Sequence, residues 1–275
     1  RLRKLSELGI LEITDEQVFR DPFHRVTPPV FQPLHLTGEQ KAVLEIVLPV
    51  ISTGTFNPFL LHGVTGCGKT EVYLQAVEHA VALGKTALVL VPEIALAAQL
   101  EALFYARFGT RLALLHSGLS DGQRFDQWQA IRSGKVSVVL GVRSAVFAPL
   151  EDLGVIIVDE EHEPAYKQDD GLRYNARDLA VLRAQMTECP VVLGSATPSI
   201  VSYFHSMHGK YTLLTMATRV KKQALPLVEI VDLTTAKRSR PDLAFSDELI
   251  RAMAKTLDEK KQSLLFVNRR GFSPF

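Results

Sequence analysis

Between positions 59 and 214 the chain alternates short, unbroken apolar runs with longer stretches in which apolar residues recur every three or four positions. The runs at 59–62, 86–91, 112–115, 136–140, 155–158 and 191–193 are short and lack polar alternation, which predicts strands buried on both faces. The intervening stretches predict helices, the clearest over 71–83 and 96–108. Alternation of this kind predicts an α/β fold: a parallel sheet with helices on both faces, joined by right-handed crossovers. Outside this region the pattern changes. Residues 2–9 carry a short helical pattern, followed by an apolar stretch over 10–13 and a proline-rich one from Pro22 to Pro33. This predicts the end of a small upstream domain and a linker over 1–35. After Ala217 the pattern restarts, with a strand expected at 228–231, a helix at 246–257 and a strand at 263–267. The expected organisation is therefore 1–35, a main domain over 36–217, and the truncated beginning of a second sheet over 218–275. No internal repeat or low-complexity segment interrupts it.

Composition adds limits. With 47% hydrophobic and 22% charged residues the chain has the content of a globular protein and not of a disordered one. A net charge of +1 does not announce a nucleic-acid binder. From Arg219 onward, however, 12 Lys and Arg stand against 7 acids, a local +5; from charge alone a solvated basic surface is the simpler reading. The two cysteines, Cys67 and Cys189, are far apart and form no C-x-x-C pair, which predicts a reducing compartment and no zinc site within these residues. No apolar window reaches membrane-spanning length, and the first residues lack a signal-peptide run, so a cytoplasmic location is expected.

The candidate chemistry starts at Gly63-Val64-Thr65-Gly66-Cys67-Gly68-Lys69-Thr70, a complete G-x-x-x-x-G-K-[ST] string between a predicted strand and a predicted helix. Glycines let backbone N–H groups wrap an anion, and the following helix adds positive potential there. Lys69 is expected to reach the β- and γ-phosphates of ATP, and the Thr70 hydroxyl to ligate Mg²⁺. The strand at 155–158 runs into Asp159-Glu160-Glu161-His162. Acids at that strand end belong on the same sheet edge as the phosphate loop. Asp159 is expected in the Mg²⁺ shell, and Glu160 as the group that orients and deprotonates the attacking water.

The acidic string itself is specific, and two further strings stand in order around it and the loop. D-E-x-H resembles superfamily-two helicases and translocases. Thr37-Gly38-Glu39-Gln40 resembles the glutamine motif that reads adenine, and Ser195-Ala196-Thr197 resembles the motif linking the two motor lobes. The string His62–Leu74, together with 91–94, 115–119, 143–145, 166–168, 173–174, 176–180 and 268–272, resembles more closely the PriA family of bacterial replication-restart helicases. The resemblance runs from about Leu36 to the end.

The resemblance implies a RecA-like P-loop lobe and the start of a second, in a 3′-to-5′ DNA helicase that acts in primosome assembly. It implies ATP and Mg²⁺ as ligands, with zinc held only by residues beyond 275 in the full-length family. It also implies single-stranded and forked DNA, primosome proteins and single-strand-binding protein as partners of a monomeric, nucleoid-associated protein. The end of a winged helix would occupy residues 1–35. By the same likeness the aromatic-rich loop Tyr166, Lys167, Arg173 and Tyr174 touches DNA, Arg143 lies near the DNA track, and His162 with Ser195 and Thr197 couples nucleotide state to that loop. Arginines of the second lobe complete hydrolysis in such motors, so this chain is expected to bind nucleotide but turn it over slowly. The sequence departs from the family at Cys67, usually serine and here a thiol open to alkylation or oxidation. Leu172 stands where tryptophan is often found, and Val142 and Ala97 stand where polar residues are common. Two other readings remain open: an ATP-binding DNA scaffold without productive hydrolysis, and the translocase of a restriction system.

Overall fold

In a computed structural model of the chain, the described residues are 35–92, 94–220, 227–235 and 245–266, with isolated positions before residue 21; the side chains of 93–99 are not described. Two compact units result, residues 1–222 and 223–275. Most of the expectations for 1–35, and the string 268–272, lie outside the described residues.

In the first unit, α1 (Gly38–Thr53) precedes β1 (Pro58–Gly63), α2 (Lys69–Ala82), β2 (Thr86–Leu90), α3 (Ile94–Phe108), β3 (Leu112–Leu115), α4 (Asp121–Arg132), β4 (Val138–Gly141) and β5 (Leu153–Val158). A two-stranded ribbon follows, β6 (Lys167–Gln168) and β7 (Tyr174–Asn175), then α5 (Ala176–Met186), β8 (Val191–Ser195), α6 (Ile200–Met207) and β9 (Thr212–Met216). The main sheet has seven parallel strands in the order β3-β4-β2-β5-β8-β1-β9.

The unbroken apolar runs have a direct cause. Successive side chains of a strand point to opposite faces, and here both faces are covered. Leu61, Val89, Leu114, Leu140, Ile157 and Val192 pack into one core with α1, α2 and α3. Their chain neighbours Leu60, Leu88, Leu115, Val139, Ile156 and Leu193 pack into a second core with α4 and α5. Each such side chain, removed from water, contributes about 1.5–3 kcal/mol before entropy is counted. Helix starts follow local chemistry. Thr37 and Gln40 close a capping box on α1, and Ser120 and Gln123 close one on α4.

The six predicted strands are present, with ends shifted by one or two residues, and so are the two named helices. The edge strand β9 was not expected. Its residues alternate exposed and buried, and it pairs with β1 alone. In the second unit the helix predicted at 246–257 forms as α7 (Asp247–Asp258), capped by Ser246. The two strands predicted there do not form: 227–232 and 261–266 carry no strand. A strand exists only by pairing, and neither segment has a partner strand among the described residues.

Candidate functional site

Parallel strands present all their C-terminal ends at one sheet edge. There β1, β8 and β5 are consecutive neighbours. The phosphate loop leaves β1, Asp159 follows β5, and Ser195 ends β8 between them. At the usual strand spacing, loop and acids lie about 10 Å apart across that middle strand. Side chains close the gap.

Tyr73, one turn into α2, donates its hydroxyl to Asp159 Oδ1 at 2.9 Å. Lys69 is close enough to lower the Asp159 pKa, while Glu160 raises it. Burial is the largest influence on Asp159 and carries its carboxyl above the usual range. Tyr73 is fully buried and stays a neutral donor, because burial and the Asp159 charge push its own pKa well up.

The site requires glycine at two places. A Cβ on Gly194, just before the Ser195-Ala196-Thr197 string, would lie 1.7 Å from the Tyr73 hydroxyl. That glycine makes room for the link between loop and acids. Gly68, at φ +88°, sits in the left-handed region, and a Cβ there would meet Gln40 Nε2 at 2.3 Å. Gln40 Nε2 instead donates to the Gly68 carbonyl at 3.1 Å, and the Thr37 N–H donates to Gln40 Oε1 at 2.8 Å. Gln40 therefore caps α1 and braces the phosphate loop with one side chain. One amide hydrogen remains for another acceptor. Lys69, buried, donates to the Gly63 carbonyl at 2.9 Å. Val64 N–H donates to Met216 on β9, and Thr65 and Gly66 face solvent. Thr70 occupies the first turn of α2, where backbone N–H groups have no partner within the helix.

At the acidic segment Glu160 adopts φ +45°, a conformation that costs a non-glycine residue about 1–2 kcal/mol. His162 Nδ1 lies 2.7 Å from Ser195 Oγ and 3.7 Å from Glu160 Oε2. Ser195 Oγ also accepts the Thr197 N–H at 2.9 Å, and Thr197 Oγ1 lies 3.4 Å from His162 Nε2. Glu160, His162, Ser195 and Thr197 thus form one polar chain between β5 and β8.

The ribbon loop is tied to the same acids. Tyr166 donates its hydroxyl to the Asp159 carbonyl at 2.6 Å. It is 1% exposed, and its burial makes it an anchor, where the resemblance implies a contact to DNA by this loop. Arg143 donates to the carbonyls of Lys167 at 2.8 Å and Ala165 at 3.3 Å. Lys167 and Arg173 are exposed, the former paired with Asp169 at 2.9 Å. Tyr174 is half-buried, its ring edge-on to Phe147 at 5.1 Å.

A model of the DEAD/DEAH box helicase family matches residues 37–203, the span that holds these segments. The chain belongs to that family. It is 44% identical over 274 residues to the replication restart protein PriA of Bacillus subtilis (strain 168), covering all of this chain and 34% of the relative. The PriA of Treponema pallidum (strain Nichols) is 44% identical over 238 residues, 86% of this chain and 35% of that protein. The chain thus spans about a third of the length of the curated relatives it matches. A solved structure of RecG bound to a three-way DNA junction superimposes with a TM-score of 0.51 at 22% identity, over 68% of this chain and 24% of that one. That likeness shows the fold, a RecA-like helicase lobe.

In this DEAD/DEAH box lobe three residues prominent in the geometry were not singled out as site residues from sequence. Tyr73 reads as an ordinary core position of an amphipathic helix. Glu161 reads as one more acid in a run, yet its side chain is fully buried. It accepts from Ser199 N–H at 2.6 Å, Ser202 Oγ at 2.8 Å, Ser199 Oγ at 3.1 Å and Arg177 Nη1 at 3.2 Å. Arg177 reads as helix surface. Their signal was the position of Glu161 beside two other acids and of Ser199 beside Thr197, but no spacing rule connects them.

The open thiol expected at Cys67 is corrected by the structure. Cys67 is 1% and Cys189 0% exposed, and burial raises both thiol pKa values. A thiolate is the reactive form. In native buffer a thiol-specific reagent should therefore label neither cysteine within minutes, and both after denaturation; rapid native labelling would contradict this placement.

The raised Asp159 pKa carries a stability consequence. Its folded pKa exceeds the unfolded value, so its favourable contribution is complete below the unfolded pKa and is lost as pH rises through the folded one. Above the unfolded pKa, burial of Asp159 therefore works against folding. Asp159→Asn should raise the melting temperature at pH 7 and lose that advantage near pH 3, read by calorimetry at both pH values.

Proposed function

We propose that this chain is the nucleotide-binding lobe of an ATP-dependent DNA helicase that acts 3′ to 5′ in primosome assembly and replication restart. One observation carries the reading: the phosphate loop and the D-E-E-H acids share one sheet edge and are joined through Tyr73 to Asp159.

The residues present fit Mg²⁺ and a triphosphate. Two neighbouring carboxylates, Asp159 and Glu160, lie within electrostatic reach of each other, and the Lys69 ammonium lies within reach of Asp159 in a half-buried place. A glycine cradle and the start of α2 supply N–H donors for phosphate. Thr70 and Asp159 would hold the metal, which would draw charge from the β- and γ-phosphates. Lys69 would exchange the Gly63 carbonyl for phosphate oxygens, and Gln40 would offer its remaining amide hydrogen to adenine. Glu160, half-exposed and strained, would orient water and take its proton. His162, between Glu160 and Ser195, would pass a change at the acids to the Ser195–Thr197 turn. Tyr166 and Arg143 would pass it to the ribbon loop, where Lys167, Arg173 and Tyr174 would meet single-stranded DNA. The replication-restart role, forked DNA, and the primosome and single-strand-binding partners rest on the PriA relatives' names and the notion of a shared lobe. A cytoplasmic, nucleoid-associated location is proposed on the same ground; among the described residues no helix is long and apolar enough to cross a membrane.

The test is nucleotide binding set against turnover. The chain should bind Mg·ATP and Mg·ADP, and hydrolyse ATP far more slowly than a chain of the relatives' full length. DNA-stimulated hydrolysis by these residues alone at the full-length rate would refute the division of labour. Failure to bind either nucleotide would refute the site.

A further inference from the structure

A loop that wraps an anion aims backbone N–H groups inward. In planar trans peptides this turns the carbonyls outward, where each needs a donor. Two carbonyls of the phosphate loop are served from within it: Lys69 Nζ donates to Gly63 at 2.9 Å, and the Cys67 N–H donates to Val64 at 3.1 Å. Two are held from outside. Gln40 Nε2 reaches the Gly68 carbonyl at 3.1 Å, and the Val220 N–H reaches the Gly66 carbonyl at 3.0 Å. Gly66 is the exposed tip of the loop, at φ +80°, and belongs to no helix or strand.

Val220 lies in a short strap, residues 217–220, which follows the edge strand β9 within the first unit. β9 ends at Met216, so no sheet ladder keeps the chain against the loop beyond that point. Glu39, in the first turn of α1, does so instead. Its Oε2 accepts the Thr218 N–H at 3.1 Å, and its Oε1 accepts the Thr218 hydroxyl at 2.9 Å. An acid in a first turn is ordinarily explained by the helix dipole. That does not explain two oxygens spent on one residue 179 positions away. The Val220 side chain also packs near the loop, where a Cβ on Gly68 would meet its Cγ2 at 3.2 Å. Two adjacent residues of α1 thus hold the loop, Gln40 directly and Glu39 through the strap.

We infer that Glu39 and Thr218 are positioning residues for the nucleotide, fastening a strap that keeps the tip of the phosphate loop in its anion-wrapping form. The inference rests on the nucleotide-binding reading and deepens it. The strap is the stretch through which the first unit continues toward the second, so the grip on phosphate depends on a segment outside the loop and the acids. With the strap released, the loop populates other conformations, and apparent affinity falls by the fraction left competent. The coupling is reciprocal, so nucleotide in the loop holds the strap down.

The test pairs affinity with proteolysis in the intact chain. By isothermal titration, Glu39→Ala should weaken Mg·ADP binding about tenfold, and Thr218→Ala, which keeps the backbone donor, about threefold. Thr218→Ser restores the hydroxyl and should bind as the parent does. Melting temperatures should stay within about 2 °C of the parent's, since both residues lie at the surface. Trypsin cuts after Arg219 when the strap leaves the loop, and the rate follows the open fraction. Saturating Mg·ADP should slow that cut at least about fivefold in the parent and less than about twofold in Glu39→Ala. Parent-like affinity in Glu39→Ala, or a cut after Arg219 that is indifferent to Mg·ADP in the parent, would overturn the strap and leave the nucleotide site standing. A parent chain that binds no Mg·ADP would overturn both.

Discussion

Glu161→Ala should lower the melting temperature of the first unit by roughly 10 °C, the largest stability loss expected from a single polar side chain here. The Glu161 carboxylate is fully buried, and its two oxygens accept from one backbone N–H, two serine hydroxyls and Arg177. Deleting it leaves those donors without their acceptor in a place water does not reach. Breaking a buried pair from one side costs about 3–5 kcal/mol. For a domain of this size each kcal/mol moves the transition by about 2–4 °C. Glu161→Gln keeps the shape and one acceptor, so it should fall between the parent and alanine. A drop of less than about 2 °C for Glu161→Ala would mean that the cluster gains little over its water-exposed alternatives. The cluster also fixes Ser199, at the end of the turn that begins at Ser195 and Thr197. Loss of Glu161 should therefore loosen the polar chain to His162 before it affects the phosphate loop.

Lys69→Ala should do the reverse: nucleotide affinity should fall by about a hundredfold while the fold stays intact. In the structure the Lys69 ammonium makes one hydrogen bond, to the Gly63 carbonyl, which also lies in a strand paired on both sides. Removing it costs the fold about 1 kcal/mol. Removing it from a bound triphosphate costs a charge-assisted contact. Isothermal titration with Mg·ADP, beside a melting curve, separates the two effects. Unaltered affinity would detach Lys69 from phosphate binding and with it the whole assignment of the loop.

Much of this was readable from the order of residues, and the reasons differ by element. The strands at 59–62, 112–115 and 155–158 were legible because burial on both faces demands apolar side chains at every position, a local signal. The glycine-rich turn between β1 and α2 was legible because the proposed wrapping of an anion by backbone demands glycine at set intervals, also a local signal. The edge strand β9 was hidden because one of its sides is solvent, so its alternation is weak. The strands expected at 228–231 and 263–267 show the converse. Strand-like composition creates no strand without a partner to pair with.

The site divides in the same way. The sequence proposes Lys69, Thr70, Asp159 and Glu160 for phosphate and metal, because they are residue types at the spacings that chemistry requires. Tertiary structure alone decided which of their neighbours hold them in place. Tyr73 reaches Asp159 only because β1 and β5 flank β8 and Gly194 leaves space for the hydroxyl. Glu161 becomes a buried hub only because α5 and the start of α6 bring Arg177, Ser199 and Ser202 to it, and Tyr166 becomes an anchor because its buried hydroxyl reaches the Asp159 carbonyl. Such roles depend on distance through space between residues far apart along the chain, and that distance is set by how the sheet orders its strands.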